Sequence, residues 1–114
     1  MKQKKREITN SVSWGPLSMS KSIISNEKRC FVCGKERGCE VHHLFYGVSN
    51  RKLADEDGLW VYLCYECHRG RRGVHGYDGY DLNTSLKREA QRTWMKHYGK
   101  TVEDFIARYG KSYL

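Results

Sequence analysis

Two cysteine pairs of identical spacing constrain the fold of this chain more than any other feature. Cys30 and Cys33 form the first pair; Cys64 and Cys67 form the second, after 30 intervening residues. Two residues between cysteines allow a tight turn, here called a knuckle, that directs both sulfur atoms toward one ion. Two knuckles supply the four thiolates that Zn²⁺ binds in tetrahedral structural sites. The spacing therefore predicts one structural zinc ion that joins two distant segments.

The length and polarity of the chain fit a metal-stabilised domain. It has 114 residues and a mean hydropathy of −0.79, so its hydrophobic core must be small. Small cores commonly depend on a disulfide or a metal ion. The cysteine count is odd and no apolar leader precedes it, which favours a reducing, cytoplasmic setting without a membrane. We expect the fifth cysteine, Cys39, to be a buried or free thiol rather than a replacement zinc ligand. Thiol–disulfide exchange is disfavoured because no βαβ pattern surrounds either pair.

The charge of the chain indicates a polyanionic partner. The formal net charge is +8, and residues 1–28 hold six basic and two acidic side chains. Such an excess is typical of proteins that bind nucleic acid, although it also serves solubility. We predict a basic, flexible arm over residues 1–28 and a main domain over 29–114. The arm would contact DNA phosphates, unless its apolar residues instead complete the core as a short strand. Its basic residues at the start of the chain are Lys2, Lys4, Lys5 and Arg6.

The main domain is expected to begin with two strands around a loop. Residues 40–44 and 59–63 are prone to form strands, and the second run ends at the second knuckle. Several turn-forming residues predict a loop between them. They are Gly47, Asn50, Asp55, Asp57 and Gly58. A short helix is expected from Cys67 to about Gly70 or Gly73.

Two helices are predicted in the last third of the chain. Apolar residues recur every four positions after Thr84, a candidate N-cap, and before Gly99, a candidate stop. They are Leu86, Ala90, Trp94 and Tyr98. Thr101 and Asp104 have the spacing of a capping box for a second helix ending at Gly110. Strands and helices together predict an α+β fold.

Four of the five histidines lie between the first knuckle and Gly76: His42, His43, His68 and His75. Neighbours on a strand point to opposite faces, so one of His42 and His43 could bind a second metal while the other faces water or substrate. Hydrolysis of a phosphodiester needs both of these roles: a metal at the phosphate and an imidazole as general base. Alternatively, the pair is an ordinary strand dipeptide, or His42 replaces a zinc ligand.

The order of these motifs resembles the HNH endonucleases, whose fold is the ββα-metal (His-Me) finger. The resemblance covers residues 28–76, and the runs around His42-His43, Cys64–His68 and Gly73–Gly76 are similar to small HNH proteins of bacteriophages and prophages. It implies a ββα-metal core with two zinc knuckles, followed by two C-terminal helices.

The resemblance also implies roles for individual residues. His43 would be the general base, and His42 and His68 would bind the catalytic metal. Arg72 stands at the last ligand position, and His75 is the nearest replacement. The central asparagine of the motif is absent, leaving Asn50 or Asp57 as candidate substitutes.

The predicted function is therefore that of an HNH endonuclease that hydrolyses DNA with Mg²⁺, Mn²⁺ or another divalent metal. The family mechanism implies one-metal hydrolysis that leaves a 5′-phosphate and a 3′-hydroxyl. Arg69, Arg71 and Arg72 are expected to contact DNA together with the arm. If the chain is phage-encoded, it would act in the host cytoplasm. The alternative is a zinc-finger DNA-binding or recombination-accessory protein that does not cleave.

Overall fold

A two-stranded antiparallel sheet and four helices make up the α+β fold of residues 20–114, the part of the chain that this computed structural model describes. The elements are β1 (Glu40–His43), α1 (Val48–Asp57), β2 (Trp60–Leu63), α2 (Tyr65–Arg69), α3 (Tyr80–Tyr98) and α4 (Val102–Tyr109). In the sheet, His42 pairs with Val61 and His43 with Trp60. No helix in the described residues is long and apolar enough to cross a membrane.

The segment between the strands is a helix, so the prediction of a loop there is wrong. Helix α1 runs from Val48 to Asp57, between Gly47 at φ 95° and Gly58 at φ 75°. Only Ala54 and Asp57 are buried along it. Too few apolar residues recur at helical spacing to signal a helix, and contacts with the rest of the protein stabilise it instead.

The C-terminal helices follow the predicted pattern except at one end. Leu86, Ala90 and Trp94 are buried on one face of α3, as their spacing predicted, whereas Tyr98, the fourth member of that series, is 40% exposed. Helix α3 begins at Tyr80, so Thr84 lies inside the helix and does not cap it. The capping box of α4 is confirmed: the Asp104 N–H donates to Thr101 Oγ1 at 3.1 Å, and the Thr101 N–H donates to Asp104 Oδ2 at 3.0 Å.

The chain enters the fold before the predicted domain boundary at residue 29. The buried Ser22 hydroxyl donates to the Trp60 carbonyl at 2.6 Å, and the Trp60 indole donates to the Ser20 carbonyl at 2.9 Å. The Ile23 N–H donates to the Gly58 carbonyl at 2.9 Å. These bonds hold residues 20–23 against β2. The first 19 residues of the predicted arm, with its four leading basic side chains, lie outside the described residues.

The carboxylate of Asp57 ties the end of α1 to both C-terminal helices. Its Oδ2 accepts hydrogen bonds from the Trp94 indole at 2.8 Å, the Arg108 Nε at 2.6 Å and the Tyr109 hydroxyl at 2.7 Å. Oδ1 accepts a further bond from Arg108 at 2.9 Å. Because the Asp57 side chain is only 12% exposed, little water could replace these partners.

We predict that Asp57→Ala lowers the free energy of unfolding by about 3 kcal/mol, because it leaves the Trp94 and Tyr109 donors buried without an acceptor. Denaturant unfolding followed by tryptophan fluorescence measures this change. Glu56→Ala is the matched control, since Glu56 is exposed and accepts one bond from the same Arg108. The control should change stability by less than about 0.5 kcal/mol. Equal losses in the two variants would contradict the structural role of Asp57.

Candidate metal centres and active site

The four knuckle cysteines form one cluster. Their sulfur atoms all lie within 4.8 Å of one another. Cys64 occupies the N-cap position of α2, and Cys67 lies in the first turn of this helix. Cys33 Sγ and Cys64 Sγ are 3.6 Å apart, and two sulfurs bound tetrahedrally to zinc at 2.3 Å would be about 3.8 Å apart. The cluster could therefore bind a metal ion such as zinc.

The protonation of these thiols also favours a bound cation. Burial disfavours the Cys30 thiolate, but hydrogen bonds from the backbone at Cys64, Cys33 and Val32 outweigh it and lower the pKa of Cys30 to about 6. Burial raises the pKa of Cys64 and of Cys67. One thiolate is thus readily formed, whereas the full set of four needs a positive charge among the sulfurs.

Cys39 lies outside the cluster. Its thiol donates to the Lys35 carbonyl at 3.2 Å, and the side chain is half-buried. The cluster is complete without it.

Three histidines form a second group of potential ligands. His42 comes from β1, His68 from α2, and His75 from the loop after α2. One ring nitrogen from each lies within 4.8 Å of the others, and the ring centroids are 5.0–5.1 Å apart. We call these residues the three-histidine cluster.

The chemistry of the three-histidine cluster suits a divalent metal. Nε2 of His42 is buried and meets no hydrogen-bond partner within residues 20–114. Burial, and then the neighbouring His68 and His75, lower the pKa of His42 to about 3, so its ring is neutral. Nδ1 of His68 donates to Glu40 at 2.7 Å, which leaves Nε2 of His68 as the available ligand atom. A buried, neutral and unpaired imidazole nitrogen is a group that a metal ion would satisfy.

A tightly packed loop brings His75 to the cluster. Helix α2 ends at Arg69, and the next ten residues have glycine at every third position: Gly70, Gly73, Gly76 and Gly79. The N–H groups of the last three donate to the glycine three residues earlier, at 2.8–3.1 Å. A Cβ on Gly76 would lie 1.9 Å from the Gly70 carbonyl oxygen, so only glycine fits there. The early end of α2 leaves Arg72 exposed and places His75 in the cluster.

His43, the next residue on β1, contacts a different partner. Its ring is nearly buried, and Nε2 donates a hydrogen bond to the carboxylate of Asp55 on α1. The two candidates for the missing asparagine lie elsewhere. Asn50 donates to the Tyr109 carbonyl at 3.4 Å, and Asp57 binds the C-terminal helices. Sequence reasoning missed Asp55 because the helix that carries it was not predicted.

One cleft joins the three-histidine cluster to His43. It has a volume of about 240 Å³ and opens between β1, α1 and α2. Its lining residues are Val41, His42, His43, Tyr46, Arg51, His68, Arg69 and His75. Three potential ligands, a fourth imidazole and two guanidinium groups therefore face one small space.

The arginines expected to contact DNA have different surroundings. Arg69 lines the cleft and donates to Glu40 at 2.9 Å. Arg71 is paired with Asp78 at 2.6 Å, and Arg72 is exposed. Arg51, which the sequence did not single out, also lines the cleft from α1.

Comparison of the chain with protein-family models, with curated proteins and with solved structures finds no match. The cysteine cluster and the α+β fold are therefore supported by the structure alone.

Proposed function

We propose that this chain is a divalent-metal-dependent HNH endonuclease that hydrolyses phosphodiester bonds in DNA. The observation that carries the proposal is the cleft, where the three-histidine cluster lies beside His43, itself hydrogen-bonded to Asp55. The order β1, β2, α2 also agrees with the strand–strand–helix order of a ββα-metal finger, with α1 inserted between the strands. The cysteine cluster would hold the structural zinc of the zinc-bearing branch.

His43 is the proposed general base. With Asp55 accepting the hydrogen of Nε2, the neutral ring presents the lone pair of Nδ1 to a water molecule. Asp55 fixes the ring orientation and stabilises the imidazolium that forms when His43 takes the proton. His43 lines the cleft, whereas the Asp55 side chain, which is 34% exposed, lies outside the cleft lining.

The other side of the cleft would receive the phosphate. A divalent metal bound by His42, His68 and His75 would neutralise phosphate charge and stabilise the leaving oxygen. Glu40 keeps His68 in the tautomer that has a free Nε2. Arg51 and Arg69 present guanidinium groups, which bind phosphate oxygens in a bidentate manner. The net charge of +8 supports a DNA substrate, and we place the protein in the reducing cytoplasm, of the host if phage-encoded.

The second candidate function is a zinc-finger DNA-binding or recombination-accessory protein that does not cleave. The absent central asparagine and the arginine at position 72 favour it. Two other residues could take these roles, which favours cleavage. Asp55 would replace the asparagine beside His43, and His75 would replace the ligand expected at position 72.

A plasmid assay distinguishes these functions. Zinc-loaded protein with added Mg²⁺ or Mn²⁺ should convert supercoiled plasmid to nicked or linear DNA. DNA ligase should reseal the nicks, because the products carry a 5′-phosphate and a 3′-hydroxyl. Protein that binds the plasmid without cutting it under any of these metals would support the accessory function instead.

We predict that Asp55→Ala lowers the cleavage rate constant about 10- to 100-fold, the usual effect of losing a partner that orients a functional histidine. DNA affinity should change little. Single-turnover cleavage of a labelled duplex measures the rate constant. Lys52→Ala, an exposed change on the same helix, is the control and should cleave within about twofold of wild type. An unimpaired Asp55→Ala variant would show that His43 needs no such partner.

A further inference from the structure

Lys87 and Lys111, two lysines beside the cleft, both lie close to the ring of Tyr113. Lys87 Nζ on α3 is 4.7 Å from the Tyr46 ring centroid and 5.1 Å from that of Tyr113. Lys111 Nζ is 5.0 Å from the Tyr113 centroid. Such distances allow cation–π attraction, which holds both ammonium groups in defined positions.

Neither lysine forms an ion pair with another residue in the described part of the chain. Within residues 20–114, no carboxylate oxygen lies within 4.0 Å of either Nζ atom. Lys87 is half-buried, and its pKa is lowered by burial and then by Lys111. Like charges held near one ring repel each other, so a bound anion would stabilise the arrangement.

This lysine pair borders the cleft through Tyr46. The Tyr46 ring lines the cleft, and its centroid is 5.1 Å from that of His75. Its hydroxyl accepts a hydrogen bond from Asn83 of α3 at 3.0 Å, which fixes the ring between Lys87 and the cleft. One aromatic ring therefore separates Lys87 from the three-histidine cluster.

We propose that Lys87 and Lys111 form a second phosphate-binding site, which holds a neighbouring phosphate of the DNA strand whose scissile phosphate occupies the cleft. This inference rests on the proposed function. The lysine pair contributes to strand affinity and placement, whereas the three-histidine cluster and His43 perform the cleavage. Helix α3 thereby becomes part of the DNA-binding surface.

The test compares the double variant Lys87→Met/Lys111→Met with wild type. Methionine keeps an unbranched side chain against the tyrosine rings and removes the charge. Binding to a defined duplex is measured over a range of salt concentrations without added divalent metal. The slope of log K against log salt should become less negative by about 0.9, the loss of one phosphate contact. In the cleavage assay, KM should rise about tenfold while kcat stays within about twofold.

Two control variants accompany this test. Lys96→Met removes an exposed charge about 2.5 turns from Lys87 along α3, on the opposite face of the helix, and it should leave the slope and KM unchanged. Lys87→Arg/Lys111→Arg keeps both charges and should retain the wild-type slope. A lower melting temperature with an unchanged slope would show that the lysines are structural and overturn the inference.

Failure of the inference is distinct from failure of the proposed function. If wild type cleaves DNA and the double methionine variant matches it in slope and KM, the assignment of a second phosphate site is wrong, but the nuclease function is supported. If wild type binds DNA without cleaving, the nuclease is wrong, and the slopes still decide whether the lysine pair binds phosphate. Wild type that does not bind DNA refutes both.

Discussion

Cys30→Ala is expected to unfold the domain. Cys30 is 2% exposed and belongs to a cluster that joins the segment before β1 to the start of α2. Zinc bound by four thiolates contributes on the order of 10 kcal/mol to folding, which is comparable with the whole stability of an ordinary small domain. Circular dichroism and a thermal melt should show loss of the cooperative transition in the variant. Removing zinc from wild type with a strong chelator should have the same effect.

Cys39→Ala is the matched control for this prediction. Cys39 is the cysteine outside the cluster, and its thiol contacts the carbonyls of Lys35 at 3.2 Å and Arg37 at 3.8 Å. Its replacement should cost about 1 kcal/mol or less and leave the zinc content at one ion per chain. A purified wild-type protein without zinc that still melts cooperatively would refute the structural metal.

His43→Ala is expected to abolish DNA cleavage. A positioned general base contributes about 10²- to 10⁴-fold to the rate, and His43 is the imidazole in the cleft that lies outside the three-histidine cluster. DNA affinity and zinc content should remain those of wild type, since neither the cysteines nor the arginines change. Single-turnover cleavage, with binding and metal content measured on the same sample, separates these effects.

His97→Ala provides the comparison for His43→Ala. His97 is exposed near the end of α3, and its ring packs against Tyr98 rather than in the cleft. This variant should cleave as wild type does. Wild-type cleavage by His43→Ala would mean that another group activates the water.

The features that could be predicted from the sequence depend on short-range spacing. Both residues of each knuckle lie on one turn, so the two matched spacings were sufficient to predict that the four cysteines lie together. Thr101 and Asp104 form hydrogen bonds within a single turn at the start of α4, and their spacing predicted this capping box. The burial of Leu86, Ala90 and Trp94 followed from the helical period.

The features that could not be predicted depend on how distant elements pack. Helix α1 has only two buried residues, and its packing decides that Asp55 meets His43 while Asp57 meets α3 and α4. The composition around these aspartates favours a loop as much as a helix. His75 is an intermediate case, because glycine at every third position from Gly70 to Gly79 signals a tightly wound loop without giving its direction.

The dependence of cleavage on metal concentration shows whether the three-histidine cluster holds the catalytic metal beside His43. Cleavage by zinc-loaded wild type is measured while Mn²⁺ is titrated, and the same titration is made with His42→Ala. Wild type should show a saturable rise. His42→Ala should reach half-saturation at a Mn²⁺ concentration higher by about tenfold or more, because one of three ligands is lost. Cleavage by wild type without added metal, or the same half-saturation in both proteins, would contradict binding of the catalytic metal by the cluster.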